Sequence, residues 1–153
     1  MNLGEIRRIY TVAILKANMN IEQAFEQSLI ELESKEFDAI REHERVLATI
    51  WAVEAEVNNG SFDQLFYNSA GDISFYAAKA FDAIGAHNMA SIAQKALDLF
   101  GPEGPPKNRD ERVEILESIS EKHEEYLNKL DHEFTEYPDN IKELLLTYVQ
   151  SNF

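Results

Sequence analysis

Apolar residues recur along this chain at intervals of three and four, the spacing that gathers them on one side of an α-helix. Ile6, Ile9, Tyr10, Ala13, Ile14 and Ala17 form the first stripe. Asn18-Met19-Asn20 interrupts it, and Ile21, Ala24, Phe25, Ser28, Leu29 and Leu32 form the second. A third runs through Val46, Leu47, Ile50, Trp51, Val53 and Val57. It stops at Asn58-Asn59-Gly60, residue types that tolerate the left-handed backbone found at helix ends. A short segment comes next, with Phe62, Leu65 and Phe66 on one side and Ser61 placed to cap it. Asn68-Ser69-Ala70-Gly71-Asp72 is the next break, with Asp72 placed to cap the succeeding helix.

Ile73, Tyr76, Ala77, Ala80, Phe81 and Ile84 then make a stripe closed by Gly85. Met89, Ile92, Ala93, Ala96, Leu97 and Phe100 make another, closed by Gly101. Three of the four prolines fall between Gly101 and Arg109, which reads as a loop too short to link two domains. A long helix begins near Asp110, its inner side formed by Val113, Leu116, Ile119, His123, Leu127, Leu130 and Phe134. Tyr137-Pro138-Asp139 ends it, and Ile141, Leu144, Leu145, Tyr148 and Val149 form the last stripe. No segment of strand length alternates apolar and polar residues, and no internal repeat occurs. The pattern predicts an all-α, single-domain irregular bundle of about seven or eight helices over residues 1–153.

Charge changes the picture most. Twenty-eight acidic residues against fourteen basic ones leave a net charge of −14. The bases are spread along the chain, so a phosphate backbone or an anionic membrane surface is repelled and neither is an expected partner. The partner this charge fits is a basic protein. Cysteine is absent, which removes disulfides, thiolate nucleophiles and Cys-ligated metals. With no apolar run of membrane-spanning length and no apolar leader in Met1–Tyr10, the expectation is a soluble, cytoplasmic protein.

Candidate chemistry is sparse. Neither a nucleophile elbow nor a phosphate-binding glycine loop occurs. Glu121, Glu125 and His132 share a helix face with Asp131 beside them, but they read as a solvated acidic face. No metal and no cofactor is expected. His123, on the inner stripe, reads as a hydrogen-bonded core histidine. Glu54 follows Leu47 by seven residues and Trp51 by three, which places a carboxylate on a partly apolar face. Such a group must be paired or rise in pKa. The favoured reading is structural: Glu54, Asn59, Gln64 and Asn68 satisfy backbone groups at two tight turns, with Glu54, Asn59 and Asn68 largely buried. The alternative is an enzyme that uses Glu54 as general acid or base beside this amide-rich turn.

The long helix also carries Asp110, Glu114, Glu117, Glu121 and Glu124 at steps of 4, 3, 4 and 3, with Glu125 beside the last. On a straight helix these acids repeat every ~4.5–6 Å along one face, turned away from the Val113–Leu127 side. Lys122, Lys129 and Arg112 flank the row. It is the expected partner-binding surface.

The stretch Trp51–Asp72, WAVEAEVNNGSFDQLFYNSAGD, resembles the signature of a bacterial family of small acidic helical domains typified by a neisserial DNA-mimic protein. That signature reads E-V-x-N-G-G-F-x-Q-F-F-x-N-x-x-G. Glu56, Val57, Asn59, Gly60, Phe62, Gln64, Phe66, Asn68 and Gly71 match it, and Glu54 and Asn58 adjoin. Ser61 replaces the second glycine and Leu65 an aromatic residue. The resemblance covers residues 37–153 and leaves 1–36 as an N-terminal helical addition or a divergent part of the same domain. It implies an all-helical fold, self-association as a homodimer, no catalytic residues, and a non-enzymatic role in blocking a DNA-binding protein or transcription factor. An immunity-type or antitoxin-like inhibitor of a basic toxin or nuclease would use the same electrostatics.

Overall fold

The structure of the protein is a computed structural model that describes residues 19–153. The stripe from Ile6 to Ala17 lies outside the described residues. Among the described residues there are seven α-helices, in order: α1 Ile21–Ser34, α2 Glu42–Asn59, α3 Phe62–Tyr67, α4 Ala77–Ala83, α5 His87–Asp98, α6 Arg109–Thr135 and α7 Ile141–Asn152. Two 3-10 segments, Phe37–Ala39 and Ser69–Tyr76, join them, and no strand occurs among the described residues. The fold class read from periodicity is the one observed.

Helix α2 is the centre. Val46, Leu47, Ala48, Ile50, Val53 and Val57 are buried along it, and α1, α3, α4, α6 and the second 3-10 segment pack around it. Helix α1 is fixed at its start by Asn20, whose side chain accepts from Gln23 N at 2.8 Å while Gln23 Oε1 accepts from Asn20 N at 3.1 Å. The six-residue α3 is too short to persist alone. It survives by burying Phe62, Leu65 and Phe66. Phe62 meets Phe134 of α6 at 5.5 Å between ring centroids, and Phe66 meets Phe100 at 4.8 Å. Each fully buried ring contributes about 1.5–3 kcal/mol, so these contacts tie α3 to the core that α5 and α6 share.

Several local readings need correction. Trp51 is 48% exposed rather than part of the core stripe; it stands at the flank of α2, its ring against Phe25 of α1. Gly60 ends α2 with φ −163°, outside the left-handed region, whereas Gly85 and Gly101, which close the next two stripes, are left-handed. Asp72 caps nothing: Ser69–Tyr76 runs on as one 3-10 segment, and the Asp72 carboxylate goes to Arg112 instead. His123 is exposed. Its backbone (φ −127°, ψ 27°) kinks α6 and rotates the ring off the inner stripe, between buried Leu116 and Ile119 before it and buried Leu127, Leu130 and Phe134 after it.

Candidate functional site

The motif residues converge on two ionic groups. The first is Glu56, half-buried on α2, whose Oε2 accepts from Gln64 Nε2 at 3.0 Å and from Asn68 Nδ2 at 2.9 Å. Gln64 folds back over Gly60, where a Cβ would lie 2.0 Å from Gln64 Oε1. Gly60 thus leaves the space that Gln64 fills. Ser61 Oγ accepts from Gln64 N at 3.1 Å, the expected cap. A second carboxylate, Asp131 of α6, accepts from Phe62 N at 2.8 Å. Burial raises the Asp131 pKa, the Phe62 hydrogen bond opposes that rise, and neighbouring Asp63 adds to it.

The second group is Arg112, fully buried at the start of α6. Its Nε donates to Phe66 O at 2.6 Å. Nη1 donates to Pro106 O and Lys107 O at 3.0 and 3.1 Å. Nη2 donates to Asn68 O and Asp72 Oδ1, both at 2.9 Å. One guanidinium therefore satisfies four backbone carbonyls and a carboxylate, locking the loop before α6 to the end of α3. Gly71 makes room for it, since a Cβ there would lie 2.5 Å from Leu65 O and 2.8 Å from Arg112 Nε. Arg112 therefore does not flank the acidic row. Its place was legible: it precedes Leu116 by four residues and Ile119 by seven, on the inner stripe. Asp131 had no such signal, because its partner lies 69 positions away.

The anticipated polar turn differs from this. Asn59 is exposed rather than buried, and Glu54 and Asn68 are half-buried. The amides serve a carboxylate more than backbone, because Glu56 projects between the two turns. Asn58, exposed, donates to the Tyr137 hydroxyl at 2.5 Å. Tyr137 in turn hydrogen-bonds Glu54. Burial raises the Glu54 pKa, and the bond from Tyr137 opposes the rise. Glu54 and Tyr137 line an open cleft of about 730 Å³ with Ile21, Ile141 and Leu145. Glu54 and the Gln64–Asn68 amides thus belong to different clusters.

Asp110, Glu114, Glu117, Glu121, Glu124 and Glu125 are all exposed, and none forms an ion pair among the described residues. The His123 kink divides them, four acids before it and two after it. The row is therefore not one straight line, and Glu121 is set apart from Glu125 and His132. No group of three or more His, Asp or Glu among the described residues is disposed to hold a metal ion. Beside the first four acids lies a groove of about 670 Å³ between α3 and α6. Glu117 and Asp63 flank its apolar lining of Tyr67, Val113 and Leu116. Arg109, next to the row, is turned away from it: Nε donates to Tyr67 O at 2.8 Å and the guanidinium lies over the Tyr67 ring. No helix among the described residues is long and apolar enough to cross a membrane.

Comparison with curated proteins and with solved structures gives no match. The Glu56–Gly71 motif, the buried Arg112 and the α3–α6 packing all fall within residues 38–152, which match the model of the DMP19-like protein family; that is well over half of the chain, and the chain belongs to this family.

Proposed function

We propose that the protein is a non-enzymatic binding protein whose α6 acids occupy a basic protein surface that normally holds nucleic acid, in the manner of a DNA mimic. The observation that carries this reading is the exposed run Asp110, Glu114, Glu117 and Glu121 on one helical segment, unpaired among the described residues. Its carboxylates succeed one another every ~4.5–6 Å, a scale comparable with the ~3.4 Å axial rise between phosphates of a DNA strand. The burial of Arg112, paired with Asp72, and the engagement of Arg109 with Tyr67 support it further, because neither guanidinium is paired with an acid of the row. Family membership is consistent with it. The separation of Glu54 from the Gln64–Asn68 amides speaks against the enzyme alternative in the form that couples Glu54 to that turn. The test is capture of partners at low salt and then competition. A captured DNA-binding protein should release its DNA as this protein is added. Formation of a ternary complex with DNA still bound would refute the mimic reading.

A further inference from the structure

Helix α1 lies outside the residues that match the family model, yet it packs on α2 through Ala24, Phe25 and Ser28. Gln27 reaches across to Glu44 of α2 at 3.3 Å. The pairing leaves an apolar groove of about 450 Å³ lined by Phe25, Leu29, Ile30 and Trp51. Ile30 is 56% exposed and Trp51 48%, and the two line the same groove, which makes it an exposed apolar patch rather than scattered single residues. Among the described residues its rim is acidic: Glu22, Glu26 and Glu33 line it, and no described lysine or arginine does. These acids stand at i, i+4 and i+11 on α1, one row down the groove. On the other side of Trp51 a second hollow of about 410 Å³ carries the apolar track on over Leu32, Ala55 and Ile73.

Two packed helices with an apolar seam between them form a surface on which a third helix can lay its apolar face. The rim sets the chemistry of that helix. A neutral helix would strip water from three carboxylates without pairing them, and an acidic one would be repelled. We propose that the α1–α2 groove is a docking site for a basic amphipathic helix of another protein, with apolar residues seated against Ile30 and Trp51 and lysine or arginine residues paired with Glu22, Glu26 and Glu33. This site is built on α1 and α2, stands apart from the α6 acids, and does not depend on the function proposed for them.

Trp51 is the chain's single tryptophan, so its emission reports the groove directly. The experiment is a titration of the intact protein with a synthetic leucine–lysine amphipathic helix of about four turns. The expected result is a saturable blue shift of Trp51 emission. Ile30→Glu should weaken binding at least about tenfold, as should Glu22→Lys combined with Glu26→Lys. All three positions are exposed, so melting temperature should stay close to that of the parent. Lysine substitution of Glu114, Glu117 and Glu121 should leave this binding in place. The proposal is overturned if emission does not move, if Ile30→Glu binds the peptide as well as the parent does, or if a leucine–glutamate helix binds equally. It is also overturned if emission shifts on dilution of the protein alone, which would make a second copy the occupant.

Discussion

Arg112 shows how one side chain can set the geometry of a whole region. Three nitrogens serve five acceptors, so lysine, with one, cannot replace it. Arg112→Lys should cost about 3–5 kcal/mol in urea denaturation, the range for breaking a buried charged network. The two motif glycines should respond differently to alanine. At Gly71 the new methyl meets a backbone carbonyl and the fixed Arg112, and the cost should be about 1–3 kcal/mol. At Gly60 it meets the mobile end of Gln64 at an extended φ, so the loss should be smaller, chiefly the Gln64–Glu56 bond. Glu54 gives a pH signature. Its folded pKa is raised above the ordinary glutamate value of 4.5, so the folded state binds its proton more tightly than the unfolded chain does. Its contribution to stability is therefore present at low pH and lost as pH rises from 4.5 through the folded value. Relative to the parent, Glu54→Gln should gain stability over that rise and none below it. A difference between the two melting curves that is flat with pH would contradict the burial account.

At the scale of elements, periodicity located the helices well because each packs one face on α2 or on its surroundings. What it could not place were the changes of phase. The His123 kink turns a residue of the right spacing outward, and Trp51 lies on the edge of its stripe and stays 48% exposed beside Phe25. Likewise Asn68–Asp72 has the composition of a break, yet it runs on as a 3-10 segment in which Arg112 binds Asn68 O and the Asp72 carboxylate. Local composition carries no information about such a distant donor. The same holds for α3, whose N-terminus depends on Asp131 as well as on Ser61. Asp131→Ala should cost about 1–2 kcal/mol, in the range of a lost N-cap, and hydrogen exchange at Phe62 should rise. Unchanged exchange there would show that Ser61 alone holds the helix end.

For the whole molecule the dominant property is a net charge of −14. It was plain from composition, as was the α6 row. Composition did not disclose that both arginines at the head of the row are withdrawn from it, or that the row is divided at His123. The account therefore assigns partner binding to the segment before the kink. Long-range attraction of this kind is screened by salt, with a Debye length that falls from about 10 Å at 0.1 M to about 3 Å at 1 M. The most direct measurement is the affinity of the captured basic partner for the parent and for the Glu114→Lys, Glu117→Lys, Glu121→Lys variant, across a salt series. The account predicts parent affinity that falls steeply with salt and a variant that binds at least about a hundredfold more weakly at low salt. Equal affinities, or parent binding insensitive to salt, would contradict it.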